Sequence, residues 1–188
     1  MEPKLYLSAP LSEAETEAWT TPEERAEALR FGAQNRRREY LSWRAMVRRA
    51  LGAEVKIAYN EVGAPCLMGR KEQVSVAHCK GQVAALLSEG ACGVDIEAME
   101  RDFSRAEGRF LSPEERALSQ NPLLAGVVWC AKEALYKWAG RKGVDFLRDI
   151  RIEAVDFERG ELVGRVAESE PIPLRLLLHE GYIVVYTL

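Results

Sequence analysis

Cys92-Gly93-Val94-Asp95-Ile96-Glu97-Ala98-Met99 is the stretch of sequence that says most about the fold. It has the small and apolar residues of a buried strand, interrupted by two acids. Asp95 and Glu97 are two positions apart, so their side chains point to the same face of the strand. Neighbouring carboxylates raise each other's pKa unless a cation lies between them. The segment predicts either a strand with a metal site or an edge strand with two solvated acids, and periodicity does not choose between these.

The start of a helix occurs twice along the chain. Thr21-Pro22-Glu23-Glu24-Arg25 has threonine as N-cap, proline in the first turn and acids beside it. Ser112-Pro113-Glu114-Glu115-Arg116 repeats this pattern 91 residues later. Such helix starts are common, so this match alone is weak.

Two further matches strengthen the repeat. The runs 75–87 and 175–187 are rich in apolar residues around a central glycine, and both predict β-hairpins. A fainter match pairs residues 5–7 with residues 96–98. The order strand, capped helix, longer helix and hairpin is therefore expected twice, although chance agreement of common signals remains the alternative.

We therefore expect an α+β fold of two similar halves. The halves are residues 1–90 and 91–188, and the second contains the acidic strand, that is, the predicted strand over 92–99 with Asp95 and Glu97. We expect the halves to pack around a pseudo-twofold axis. The chain has 188 residues, which suits one large domain or two small ones. Because no Ser/Gly-rich linker separates the halves, we expect one compact unit. A duplicated chain contains the interface between its own halves, so a monomer is the expected state.

Composition and charge exclude several classes of protein. The chain is 47% hydrophobic and 29% charged, which is typical of a folded domain and not of a disordered, coiled-coil or membrane protein. It has 26 basic and 29 acidic residues, so we expect binding neither to nucleic acid nor to a membrane. No signal-peptide pattern is present, and a cytoplasmic location is expected. Four cysteines and two histidines without metal-binding spacing predict free thiols and no structural zinc site.

The first long helix is predicted over residues 36–51. It overlaps an unusually basic stretch, because the segment from Arg25 to Arg49 contains eight arginines and two glutamates. Arg44 and Arg48 fall beside the apolar stripe of this helix. They can present guanidinium groups to an anion in a groove, or pack their stems on the core with their heads in water.

The second long helix is predicted over residues 127–139. Lys132, Glu133 and Lys137 lie on one arc of its helical wheel, together with a tryptophan and a tyrosine. Glu133 would supply a third carboxylate beside the acidic strand, and three oxygen ligands favour Mg²⁺. The alternative is an exposed i,i+4 Glu–Lys pair. His78 ends a predicted strand, and on its own it has no assigned role.

The acidic strand and the second helix together resemble a known family. Gly93-Val94-Asp95-Ile96-Glu97 and the run Trp-Cys-Ala-Lys-Glu-Ala-Leu-Tyr-Lys over 129–137 match the G-x-D-x-E and W-x-x-K-E-(A/S)-x-x-K motifs of the 4′-phosphopantetheinyl transferases. The duplicated halves look like the Sfp-type members, and the resemblance covers nearly the whole chain. It implies the fold of that family and coenzyme A as substrate. It also implies transfer of the 4′-phosphopantetheine arm to a serine of an apo acyl or peptidyl carrier protein, with release of adenosine 3′,5′-bisphosphate.

The resemblance also implies roles for individual residues. Asp95, Glu97 and Glu133 match the acids that bind Mg²⁺, with Mn²⁺ as an alternative ion. Asp95, Glu133 and Lys137 match the catalytic groups, with Glu133 as general base and Lys137 at the leaving oxygen. The residues matched to coenzyme A binding are Arg44, Arg48, Gly63, Pro65, His78, Lys132 and Lys137. One of Arg36, Arg37 and Arg38 is a weaker candidate.

Two positions depart from the family pattern, and two other functions compete. Ala64 stands where a lysine is usual, and Ala77 stands where a serine often precedes the histidine. A Mg²⁺-dependent nuclease or phosphodiesterase would use the same three acids. A protein that binds coenzyme A or a carrier without chemistry is the non-enzymatic alternative, and the presence of all three acids argues against it.

Overall fold

The computed structural model of the protein describes residues 2–188. The first half contains β1 Lys4–Ser8, α1 Glu13–Glu17, α2 Pro22–Ala28, α3 Gln34–Leu51, β2 Ile57–Tyr59, β3 Pro65–Leu67, β4 Gln73–Cys79 and β5 Gln82–Ser88. The second half contains β6 Val94–Ala98, α4 Pro113–Arg116, α5 Leu124–Ala139, β7 Ile150–Asp156, β8 Glu161–Val166, β9 Ile172–His179 and β10 Tyr182–Thr187. A short 3₁₀ turn, Glu107–Arg109, precedes α4. The fold class is α+β, as predicted.

The helix starts follow the sequence signals. Thr21 caps α2, because its side chain accepts a hydrogen bond from the Glu24 amide. The Glu24 carboxylate in turn accepts one from the Thr21 amide, which completes a capping box. Ser112 and Glu115 form the same box at α4. Both predictions are confirmed, because capping is a local interaction that four or five residues determine.

In the first half, α3 packs on a three-stranded sheet of order β1-β5-β4. Trp43, Met46 and Val47 of α3 meet apolar side chains of β5, including Val83 and Leu87. The helix begins two residues before the predicted boundary. The sheet thus holds α3 in place, with its N-terminal turns near the end of β4.

In the second half, α5 crosses an antiparallel sheet of order β6-β10-β9-β8-β7. Val127, Ala131 and Leu135 lie on its buried face against this sheet. Strand β6, which carries Asp95 and Glu97, is therefore the edge strand of this hydrogen-bonded sheet, and α5 packs on it. Strands β7 and β8 had no counterpart in the prediction.

The two predicted hairpins form, and their turns are alike. Gly81 has φ +87° and Gly181 has φ +85°, a left-handed conformation that favours glycine. The first strand of each half adds to the hairpin in the same way, giving the orders β1-β5-β4 and β6-β10-β9.

The register of these strands corrects the faintest part of the predicted repeat. Leu7 lies opposite Ala84, and Ile96 lies opposite Val184. With the hairpins matched at their turns, Leu7 therefore corresponds to Ile96, and not Leu5 as the sequence match had it. The pseudo-twofold axis and the boundary between residues 90 and 91 remain predictions.

The two halves share one core. Ala84 and Leu86 of β5 pack with Val94 and Ile96 of β6, and the Val94 amide donates to Ser75 Oγ at 3.1 Å. Strand β6 therefore lies between the two units and not on an outer surface. Within residues 2–188, no helix combines the length and apolarity needed to cross a membrane.

Candidate active site

A groove of about 370 Å³ lies between the halves. The first half contributes the start of α3, the β2–β3 turn and β4, and the second contributes the end of α5 and the loop after it. Among its lining residues, the positively charged ones and histidine are Arg36, His78, Lys137, Arg141 and Lys142. None of the described residues that line it is acidic. The groove is therefore suited to an anion.

One wall of the groove is aromatic. Tyr40, Trp43 and Tyr59 line it on the side of the first half. Arg44 lies behind them, with its guanidinium carbon 3.4 Å from the Tyr40 ring centroid and 4.1 Å from that of Trp43. Arg44 also donates to Tyr59 Oη at 2.7 Å. These contacts orient the rings, whose faces can stack on a planar group.

The predicted turn around Gly63 and Pro65 does lie in the groove. Both residues line it, together with Ala64. Gly63 has φ +85°, and the Ala64 amide donates to Asn60 Oδ1 at 2.9 Å. The asparagine thus fixes the turn, and the backbone of residues 63–65 approaches the groove closely.

His78 lies in the groove beside Arg36, as a member of β4. The Arg36 guanidinium contacts the His78 ring. Burial lowers the pKa of His78, and the positive charge of Arg36 lowers it further. Arg36 is therefore the residue among the three candidates at 36–38 that reaches the groove.

Two of the three predicted acids, Asp95 and Glu133, lie close to Lys137, which lines the groove. Lys137 Nζ donates to Asp95 Oδ1 and to the Val94 carbonyl, both at 2.8 Å. Burial raises the pKa of Asp95, while Lys137 lowers it. Burial also raises the pKa of Glu133, and the charge of Asp95 adds to this. The two carboxylates therefore repel each other in a site that Lys137 only partly neutralises.

The third acid, Glu97, has another partner. Its carboxylate forms an ion pair with Arg101, whose guanidinium lies 4.7 Å from the Phe103 ring centroid. Within residues 2–188, no three acidic, cysteine or histidine side chains converge into a preformed metal site. The oxygen-only donors and the repulsion between Asp95 and Glu133 still fit a divalent cation such as Mg²⁺. Metal binding by Asp95, Glu97 and Glu133 remains a prediction.

Lys132 does not lie in the groove, which corrects its predicted position near phosphates. The residue is 0% exposed, and its ammonium donates to Glu115 Oε1 at 2.8 Å and to the Phe146 carbonyl at 2.7 Å. Burial lowers its pKa. The helical wheel placed Lys132 at the margin of the polar arc, and the carboxylate beneath it draws the side chain into the core of the second half.

Arg48 also points away from the groove. It is 3% exposed, and it donates to both oxygens of Glu24 at 2.6 and 2.9 Å. Its other partners are the carbonyls of Trp19 and Val55, each at 2.9 Å. Its guanidinium is thus not available to a ligand in this structure. Arg44 is 2% exposed and contributes only from behind the aromatic wall.

Most of the arginine-rich stretch ties the first half together. Arg37 donates to the Phe31 carbonyl at 2.6 Å, and Arg38 donates to the carbonyls of Pro10 and Leu11. These bonds join α3 to the segments before it. The stretch therefore supplies one groove residue, Arg36, whereas Arg37 and Arg38 stabilise the fold.

Sequence reasoning missed Arg141 and Lys142. They follow Gly140, which ends α5 in the left-handed conformation with φ +59°. A glycine followed by basic residues is a usual helix ending, so the sequence gives no sign that this one faces a groove. The aromatic wall was missed as well, because the helical spacing of Tyr40 and Trp43 predicted only a buried apolar face of α3.

A cationic groove between two α+β units, lined by a lysine that pairs with one carboxylate and lies near another, is suited to a phosphorylated ligand. The family model of the 4′-phosphopantetheinyl transferase superfamily matches residues 91–186, just over half of the chain. The chain belongs to this superfamily. The match includes both β6 and α5, which carry the two motifs. No curated protein matched the chain in a sequence search. The resemblance is confirmed for the superfamily, and the Sfp-type subclass remains a prediction.

Proposed function

We propose that this protein transfers the 4′-phosphopantetheine arm of coenzyme A to a serine of an apo acyl or peptidyl carrier protein, in a Mg²⁺-dependent reaction. Membership of the superfamily supports the reaction class. The observation that carries the proposal is that Lys137, which lines the cationic groove, donates to Asp95 and lies close to Glu133. A phosphorylated substrate and the groups that break its anhydride bond would therefore meet there.

The groove suits the chemical parts of coenzyme A. Its basic side chains can bind phosphates, and the rings of Tyr40 and Tyr59 can stack on the adenine. Ala64 provides no positive charge where a lysine is usual, but Arg141 and Lys142 line the same groove. Ala77 is 5% exposed in the core shared by the halves, so a serine hydroxyl there would not reach the ligand freely.

In the proposed reaction, the serine Oγ of the carrier forms a bond to the phosphorus that bears the pantetheine. The bond from that phosphorus to the bridging oxygen breaks, and adenosine 3′,5′-bisphosphate leaves with the electron pair. Glu133 accepts the serine proton. Its raised pKa makes it a stronger base than an ordinary glutamate, although it must be ionised to act. Lys137 would stabilise the charge on the leaving oxygen.

A divalent cation would be held by Asp95 and Glu133, with Glu97 as the predicted third ligand. When bound, it would neutralise the charge that develops as the anhydride breaks. The chain's own residues would bind the nucleotide, hold the diphosphate beside the carboxylates and take up the serine proton.

Replacement of Asp95 tests the proposal. In Asp95→Asn, the side chain keeps its size but loses the charge that Lys137 and the metal need, so we expect kcat/KM for transfer to fall at least about 100-fold. Mass spectrometry of fatty-acid, polyketide and peptide-synthetase apo carriers measures the transfer. Asp156→Asn is the matched control, because Asp156 ends β7 far from the groove, and its Oδ1 accepts two backbone amides of the β7–β8 turn.

The outcomes separate the alternatives. Normal rates in Asp95→Asn would remove Asp95 from the machinery. A wild-type protein that binds coenzyme A but modifies no carrier would favour the non-catalytic alternative. No feature of the groove favours the nuclease.

A further inference from the structure

One acidic side chain lies directly behind the cationic lining of the groove. Glu39 is one turn along α3 from Arg36, and its Oε2 lies 3.5 Å from Arg36 Nη1. The same oxygen lies 3.2 Å from His78 Nδ1. The Glu39 side chain is 12% exposed, whereas that of His78 is 36% exposed. The carboxylate thus contacts both groups from the protein side, and the groove meets them from the other.

This arrangement leaves little net charge at that end of the groove. Burial and Arg36 lower the pKa of His78, and Glu39 only partly offsets this, so Arg36 carries the main positive charge at this end of the groove. The positive charge of Arg36 is then balanced by Glu39. An anion that binds here must compete with a carboxylate that is already in place. The same holds for Lys137, another lining residue, which pairs with Asp95.

We propose that Glu39 is a built-in competitor for the anionic ligand of the groove, and that it limits affinity at the Arg36–His78 end. The carboxylate holds the two basic groups in position while the groove is empty. Its negative charge also weakens the electrostatic attraction of Arg36 and His78 for a phosphate. This favours release of a phosphorylated product. The inference rests on the proposed function in taking coenzyme A as the ligand.

Glu39→Gln separates charge from position. Glutamine keeps the side-chain volume and an oxygen that accepts hydrogen bonds, but it carries no charge. We expect the Kd for coenzyme A, measured by isothermal titration calorimetry at pH 8 and low salt, to fall about tenfold. The gain should shrink at high ionic strength, because salt screens the interaction. A thermal melt verifies that the variant is folded.

Glu153→Gln is the matched control. Glu153 also pairs with an arginine, Arg165, at 2.9 Å, but it lies on β7 at the far edge of the five-stranded sheet. Glu153→Gln changes the net charge by the same amount as Glu39→Gln, and we expect its Kd for coenzyme A to equal that of the wild type. An equal gain in this control would show a bulk charge effect and overturn the inference.

The remaining outcomes distinguish the two proposals. Unchanged or weaker binding by Glu39→Gln, with coenzyme A bound by the wild type, would overturn the role of Glu39 and leave the proposed function standing. If wild-type protein bound no coenzyme A, the proposed function would fail, and the inference would fail with it.

Discussion

At the scale of single residues, the charge of Arg48 depends on Glu24. The Arg48 side chain is 3% exposed, and both glutamate oxygens and two backbone carbonyls accept hydrogen bonds from its guanidinium. A buried charge that loses its partner is strongly destabilising, because protein no longer replaces the water that was removed. The pair therefore links α2 to α3 by mutual neutralisation.

We predict that Arg48→Met destabilises the protein without weakening substrate binding. The change leaves Glu24 with less compensation, so the free energy of unfolding should fall by about 3 kcal/mol. The KM for coenzyme A should change by less than about twofold, because no atom of Arg48 lines the groove. Urea denaturation followed by tryptophan fluorescence gives the first quantity, and steady-state kinetics give the second.

Glu24→Gln supplies the control. It leaves two buried guanidinium groups, those of Arg48 and Arg44, without their carboxylate, so it should destabilise the protein at least as much as Arg48→Met. An Arg48→Met protein with wild-type stability and a clearly raised KM would instead place Arg48 in the nucleotide site, as the sequence comparison first indicated.

At the scale of elements, each half uses its capping glutamate twice. In α2, Glu24 Oε2 accepts the Thr21 amide, and both carboxylate oxygens also bind Arg48 of the long helix. In α4, Glu115 Oε2 accepts the Ser112 amide, and Oε1 binds Lys132 of the long helix. The short capped helix and the long helix are thus joined by a buried ion pair in both halves. Arg48 and Lys132, which were expected to bind coenzyme A, form these two buried ion pairs instead.

The first glycine of the acidic motif has a packing role. A Cβ atom added to Gly93 would lie 1.8 Å from the Ala134 carbonyl oxygen of α5. Backbone cannot yield as a flexible side chain can, so the helix and β6 would have to separate. Gly93 therefore sets the distance at which α5 places Lys137 against Asp95.

We predict that Gly93→Ala lowers the free energy of unfolding by about 3 kcal/mol and reduces transfer activity in the protein that remains folded. Denaturant unfolding measures the first effect, and the carrier modification rate measures the second. Gly90→Ala is the control, because a Cβ there meets nothing within 4 Å. Equal stability of the two variants would refute the packing argument.

The elements were predictable where local chemistry determines them. Thr21, Ser112 and the hairpin glycines act over a few residues, and the structure has those elements. The partner of Lys132 was not predictable, because Glu115 is distant in sequence and its capping role gave no hint of a second bond. The groove was only partly predictable, because Tyr59 and Arg141 carry no periodic signal and meet only when the two halves pack.

At the scale of the whole molecule, the groove exists only because both halves form. Its aromatic wall comes from α3 and β2, whereas Lys137 and the loop after α5 come from the second half. Behind the groove, Ala84 and Leu86 share a core with Val94 and Val184. Neither half can bury these side chains alone, so the stability of one unit depends on the other.

We therefore predict one cooperative unfolding transition for the whole chain. A variant with Trp129→Phe and Trp138→Phe keeps tryptophans only in the first half, and one with Trp19→Phe and Trp43→Phe keeps them only in the second. In each variant, the urea midpoint from fluorescence should coincide with the midpoint from far-UV circular dichroism, because the shared core leaves no half-folded state of comparable stability. Coincidence in both variants supports the single unit. Two separated midpoints in either variant would show that the halves fold independently, and the groove would then be an interface between two stable domains.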